Sequence, residues 1–349
     1  MGFFMKNLIN IIFVTLGALI GAGFASGQEI NIFFFQSGTN GIYGIIISSI
    51  LIGMIIYKSL KIISENNIKT YKDFLEFITQ KKENKINNNI KTIINIIINI
   101  FILITFFIMI AGFGAYIEQE LGLNKIIGST ILAIICMIAF QKNVEGLVNL
   151  SNIVVPILMI SLIIIGTINF KELDFLNAYK ILKENNNHFL LKTILYCSYN
   201  SILLIPVLIT LKKYLKSKKQ LKLVSIIITI FIIILSLIIY SILFGVDVDI
   251  NRLEMPAVYA ISNINKILKP LYGLIILSSI LTTAVSLGTS FLQNIAYNEK
   301  SYTHFANIMC ISSVIISQIG FSNLVNSLYP IFGYWGLVQI LLIFVGCSK

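Results

Sequence analysis

The chain has 349 residues, 57% of them hydrophobic and only 12% charged, with a mean hydropathy of +0.90. A soluble domain carries about twice that charged share, so the composition excludes one and indicates a polytopic membrane protein. The formal net charge of +11 excludes little by itself, because the lysines cluster between apolar runs, where they set topology and meet anionic lipid headgroups rather than nucleic acid.

Apolar runs of about 20 residues, the length that crosses a bilayer, number ten along the sequence. The first, from about Leu8 to Gln36, is interrupted at residues 17–29 by G-A-L-I-G-A-G-F-A-S-G-Q-E. Glycine weakens a helix interior, and an unsatisfied backbone group in hydrocarbon costs several kcal/mol, so this stretch is tolerable only where protein or a polar cavity surrounds it. Two readings stand: a broken helix facing a binding site, or close helix packing at Gly17, Gly21 and Gly23. Lys6, an apolar stretch and G-F-A before Ser26 imitate a signal peptide with a cleavage site, but the apolar run resumes through Ile30 to Phe35, so no cleavage is expected.

The remaining spans run from about Gly41 to Leu60, Ile90 to Tyr116, Ile126 to Phe140, Leu147 to Ile168, Phe189 to Leu211, Leu221 to Phe244, Leu271 to Ala296, Phe305 to Ile319 and Leu324 to Val345. With a cytoplasmic N-terminus, the inner side collects 18 of the 26 basic residues, which fits the positive-inside rule and places both termini on the cytoplasmic side of a cell membrane. In the inner loop, Tyr71, Phe74, Leu75 and Ile78 recur at helical spacing, which predicts a short amphipathic helix on the cytoplasmic membrane surface. On the outer side, Asp249 to Lys266 is long enough to fold back as a lid or to form a plain surface helix. Cys136, Cys197, Cys310 and Cys347 lack metal or disulfide spacing, and His188 and His304 stand far apart, so neither zinc nor a disulfide framework is indicated. No motif argues for an enzyme or an ATP-driven pump.

The sixth span carries a second disruption. Tyr196, Cys197, Ser198, Tyr199, Asn200 and Ser201 form a polar, aromatic knot ahead of Pro206, which removes a backbone donor. Both halves of the chain thus open on an interrupted span, the pattern of an inverted-repeat transporter with its site at the midplane. The expected architecture is an all-α membrane domain over residues 1–349, with ten helices in a 5+5 inverted repeat of about 6–170 and 188–347, and with helices 1 and 6 broken. The competing reading of the knot is that its polar groups bond neighbouring helices and Pro206 only kinks. A break at residues 21–24 offers amides to an anion and carbonyls to a cation. Ser278, Ser279, Thr282, Thr283 and Ser286 of the eighth span offer the oxygens hard cations prefer, or bond their own helix carbonyls. Gly112 and Gly114 read as close packing, with Tyr116 a candidate lining residue. Glu29, a carboxylate at membrane depth, has three roles open to it: a proton carrier, a receptor for a substrate amine, or a cap in a wet outer vestibule.

The opening stretch, with F-F and S-G-T-N-G-I-Y-G after it, S-Y-N in the sixth span and L-Y-P-I-F-G-Y in the tenth, resembles the YkvI family of bacterial membrane proteins. That family is placed in the amino acid/polyamine/organocation superfamily with the LeuT-type fold. More distantly, G-A-L-I-G-A-G-F is similar to the pattern with which amino acid transporters of this superfamily expose backbone to a substrate carboxylate. The resemblance implies Gly21, Ala22, Gly23 and Phe24 as substrate-binding positions, with Tyr196 and Asn200 facing them. It also implies a sodium ion held by Gly17 and Ile20 with Ser279, Thr282 and Thr283. The fifth span, with Asn149, Asn152 and Pro156, lacks the lysine of some proton-coupled members, which favours sodium, with Glu29 leaving a proton route open. The function implied is cation-coupled secondary transport of a small solute, an amino acid or related zwitterion; a membrane receptor on the same fold is the alternative.

Overall fold

In hydrocarbon a single span can satisfy its backbone only as a helix, and every apolar run does fold that way. The computed structural model describes residues 2–66, 68–80, 88–141, 143–171, 188–250, 253–264 and 268–346, and among them it is helical, with short 3-10 turns and no strand. Parts of the expected lysine-rich inner loop (81–87), the connection 172–187, Arg252 and Lys266 of the outer loop, and Cys347 at the end of the second repeat lie outside the described residues.

The first span is three pieces, α1 (Gly2–Leu19), α2 (Ala22–Ala25) and α3 (Gln28–Phe33). There follow α4 (Thr39–Glu65), α5 (Tyr71–Gln80), α6 (Asn88–Leu121), α7 (Lys125–Phe140) and α8 (Asn143–Lys171). The second half has α9 (Phe189–Thr210), α10 (Lys218–Ile242), α11 (Pro256–Ile264), α12 (Leu268–Ile295), α13 (Glu299–Ile316) and α14 (Phe321–Gly346). Seven of these are long and apolar enough to cross a membrane: α4, α6, α8, α9, α10, α12 and α14. α1 and α7 are shorter apolar helices, and α13 falls outside both groups.

The broken first span and α9 form the centre. The apolar stretch of α9 is 94% buried, against 33% for α14. α9 packs between α4 and α14, and α12 between α6 and α8. The outer faces carry exposed isoleucines such as Ile46, Ile153, Ile157 and Ile311, the surface a helix presents to lipid.

The expected break in the sixth span is not there: α9 runs unbroken from Phe189 to Thr210 with Pro206 inside it. Its polar knot is satisfied partly within the helix and partly against other elements, Cys197 Sγ donating to the Ser48 carbonyl of α4 at 3.4 Å. Ser198 Oγ donates to the Ile194 carbonyl at 2.7 Å and Asn200 Nδ2 to the Tyr196 carbonyl at 2.9 Å, so these side chains bond their own helix instead of interrupting it.

The amphipathic α5 forms where the spacing predicts it, but its apolar face does not lie in the membrane surface. Tyr71, Phe74, Leu75 and Ile78 are all buried in the protein, and the helix packs on α6, α9 and α14. Its start is capped reciprocally. The Asp73 carboxylate accepts from the amides of Lys69 and Thr70 at 2.9 and 3.0 Å, and the Thr70 hydroxyl accepts from the Asp73 amide at 3.1 Å. Burial opposes ionisation of Asp73, yet these bonds and the Lys212 charge outweigh it and hold its carboxyl below the usual range.

Candidate functional site

The site grows from the failure of α1 to continue. Helical bonding ends with the Ile20 amide on the Leu16 carbonyl at 2.8 Å, and Gly21 is extended at φ −90°, ψ −169°. A second interruption follows at Gly27, whose φ of +85° is the left-handed conformation that favours glycine.

Two elements dock on these interruptions. On one side is α12: Thr283 Oγ1 donates to the Gly17 carbonyl at 2.6 Å and Ser279 Oγ to the Gly21 carbonyl at 3.4 Å. Thr282 lies against Gly17, where an added Cβ would stand 3.3 Å from its own Cβ, although its hydroxyl donates to the Ser278 and Ser279 carbonyls. Gly17, Gly21, Ser279, Thr282 and Thr283 therefore converge at one place, and Ile20 lies between them in the chain. Among the described residues no group of three or more His, Cys, Asp or Glu side chains gathers, so carbonyl and hydroxyl oxygens are what this locus offers a cation.

The other is the outer loop. Its described part folds back over the break: Met255, Ala257, Val258, Ala260 and Ile261 are buried, and the Ala257 amide donates to the Ser26 carbonyl at 2.9 Å. Gln28 Nε2 donates to the carbonyls of Leu253 and Glu254. A Cβ at Gly27 would stand 2.8 Å from Leu243 Cδ2 and 3.2 Å from the Ala257 Cβ. Combined with the left-handed φ, Gly27→Ala is expected to destabilise the protein by about 2 kcal/mol, a fall of several degrees in the unfolding temperature of the detergent-purified protein.

The substrate-binding positions inferred from sequence are only partly free to act as expected. The Ala22 amide faces Met109 Sδ at 3.4 Å. The Phe24 amide reaches the Glu29 carboxylate, which also accepts from the Tyr199 hydroxyl. Glu29 folds back over Gly23, close enough that a Cβ there would meet Oε1 and stand 2.8 Å from Cγ. Glu29 is 3% exposed; it is an interior group, not a vestibule cap.

Tyr196 is buried with its ring against Phe33 and Phe34, at centroid distances of 5.5 and 4.8 Å. Asn200 is bonded to its own helix, at the Tyr196 carbonyl. The residues that close the site, Tyr199, Tyr329 and Phe33, are absent from the sequence-based assignment: Tyr199 stacks on Phe33 at 5.5 Å and on Tyr329 at 4.8 Å. Their signal was present, since Tyr199 lies in S-Y-N and Tyr329 in L-Y-P-I-F-G-Y. All of these groups are buried, so the site is closed to both sides.

No family model matches the chain. It is 29% identical over 334 residues to the uncharacterized membrane protein YkvI of Bacillus subtilis (strain 168), covering 95% of this chain and 93% of that protein. It is 24% identical over 330 residues to the uncharacterized protein YyaD of the same organism, covering 93% and 92%. Among solved structures it is similar to a substrate-bound, outward-open Na+-coupled sialic acid symporter, with a TM-score of 0.71, 12% identity and coverage of 98% of this chain and 78% of that one. It is also similar to Mhp1, a nucleobase-cation-symport-1 family transporter, in a closed conformation, with a TM-score of 0.63, 11% identity and coverage of 96% and 75%. Both of these structures are of transporters. The chain is a multi-pass membrane protein, similar to YkvI over nearly its whole length and built on the LeuT-type fold of these cation-coupled symporters.

Proposed function

We propose that the protein is a secondary active transporter that couples a small solute carrying an ammonium group, the amino acid or related zwitterion of the sequence reading among them, to a sodium or proton gradient. The observation that carries this is the contact of α12 hydroxyls with the carbonyls of the broken first span, Thr283 Oγ1 to Gly17 and Ser279 Oγ to Gly21. A sodium ion would take the place of these hydrogen bonds, the hydroxyls keeping their protons and turning their lone pairs to it, with oxygens from Gly17, Ile20, Ser279, Thr282 and Thr283. Solute would lie beside it, along Gly21 to Phe24 and the Tyr196 and Asn200 face of α9.

In this reading the seven long helices, α1 to α3, α7 and α13 make ten crossings of the cell membrane with both termini cytoplasmic. Two halves of about 6–170 and 188–347 in one domain rock about the site to expose it alternately. Sodium bound at the break would bridge α1 to α12 and lower the free energy of the closed arrangement; solute release would follow its loss.

Thr283→Val keeps the side-chain volume and deletes the donor. It is expected to weaken sodium-dependent stabilisation at least about tenfold in apparent affinity, as loss of a metal-site partner does, at a fold cost of about 1 kcal/mol. Thermal unfolding of purified protein across a sodium titration measures this, and an unchanged sodium response would remove the cation site. Uptake by proteoliposomes under an imposed sodium or proton gradient tests transport itself; specific solute binding with no flux under either gradient would assign a receptor instead.

A further inference from the structure

We propose that Glu29 is the receptor for the ammonium group of the solute, and that the solute needs no carboxylate of its own. The proposal rests on the transporter reading and names its substrate class. Among the described residues Glu29 is the one acidic or basic residue that is fully buried, and no basic side chain is paired with it. A buried carboxylate without a countercharge is strongly disfavoured. Its protein partners are two donors, the Tyr199 hydroxyl and the Phe24 amide, whereas a carboxylate has about four acceptor positions. Capacity for a further donor remains.

The surroundings of Glu29 select the sign of that donor. Phe33, one turn further along α3, stacks on Tyr199, which stacks on Tyr329, and Tyr196 closes edge-on against both Phe33 and Tyr199. Electron-rich rings gathered around a carboxylate favour a cation over a second anion. The same geometry works against a solute carboxylate at the break. The amides of Ala22 and Phe24 already face Met109 and Glu29, so such a group would have to displace Glu29 and leave two like charges side by side in a low-dielectric interior. Gly23 belongs to this arrangement, since any Cβ there would occupy the space taken by the Glu29 side chain.

The test is equilibrium binding to the purified full-length protein. The probes are matched triads, each a primary amine, the α-amino acid with the same side chain and the corresponding deaminated acid, with tetramethylammonium as a further probe. Amines are expected to bind, deaminated acids not. Glu29→Gln, which keeps size and hydrogen bonding but removes the charge, is expected to lower amine affinity at least about 30-fold, as loss of a buried charge partner does. A merely structural cap would survive that change. Glu29→Asp keeps the charge and is expected to fall between; if Glu29→Gln does not fold, the wild-type triads and Glu29→Asp decide. Binding of amino acids or acids but no amine, undiminished amine binding by Glu29→Gln, or no binding by any probe would overturn the proposal. Amine binding without gradient-driven flux would instead leave this assignment standing and remove transport.

Discussion

Replacing Gly21 with leucine should abolish sodium-dependent stabilisation and solute binding while the protein still inserts and folds. The backbone at Gly21 is extended, a conformation open to any residue, so the substitution adds no backbone strain. What it adds is volume at the interruption, between Thr283 of α12 and Met109 of α6. A Cβ alone would stand 3.1 Å from Thr283 Cγ2, 3.2 Å from its Oγ1 and 3.3 Å from Met109 Sδ. Alanine therefore asks its neighbours to give by a few tenths of an ångström, and the three further carbons of leucine must push Thr283 from the Gly17 carbonyl or Met109 from the Ala22 amide. Overpacking of this kind costs about 1–3 kcal/mol. Drawn from the bound state, that is a loss on the order of 100-fold in affinity. Thermal shift with and without sodium, beside yield in the membrane fraction, measures it. Affinity graded down through Ala, Val and Leu is the expected pattern, and retained binding in Gly21→Leu would mean that the glycine serves packing alone.

The largest effect on the fold itself is expected at Gly336. There α14 approaches α9 so closely that an added Cβ would meet the Ser198 carbonyl oxygen and stand 2.5 Å from its carbon and 3.0 Å from the Ser198 Cα. Gly333, on the same face, is nearly as tight against Leu195. A side chain end can rotate aside, but these are backbone atoms of the most buried helix in the molecule. Gly336→Ala must separate the helices, and about 3 kcal/mol of destabilisation is expected, read as a fall in unfolding temperature of roughly 4 °C. The change should also loosen the stack of Tyr329 on Tyr199, since Ser198 immediately precedes Tyr199 in α9. A temperature within a degree of wild type would show that the two helices already have room to move apart.

Much of the architecture was legible because bilayer thickness disciplines the sequence. The expected span from Leu271 to Ala296 folds as Leu268–Ile295, and that from Phe189 to Leu211 as Phe189–Thr210. The break in the first span was legible only as one of two readings, since four glycines in hydrocarbon serve close helix packing as well as a broken helix. The sixth span misled because serine and asparagine have two ways to be satisfied within a membrane, and composition does not distinguish a side chain that opens a helix from one that bonds its own carbonyl. Tyr71, Phe74, Leu75 and Ile78 show a third limit. Periodicity names an apolar face but not whether lipid or protein covers it, and here α6, α9 and α14 do. The aromatic closure of the site was legible only as motif, since S-Y-N and L-Y-P-I-F-G-Y name Tyr199 and Tyr329 without saying that they stack on each other.

The bonds that stitch the broken first span to its partners also set a timetable. Gln28 waits for Leu253, 225 residues later in the chain, and Gly17 waits for Thr283, 266 residues later. At about 5–20 residues per second, synthesis takes roughly 10–50 s to cover that distance. For all of that interval the nascent first span exists without the groups that satisfy its carbonyls and amides, and α1 to α3 cannot settle into bare lipid as a finished element. The centre of the mature protein is thus completed late, and its earliest-made segment must be sheltered by water or the insertion machinery at least until α11 and α12 arrive.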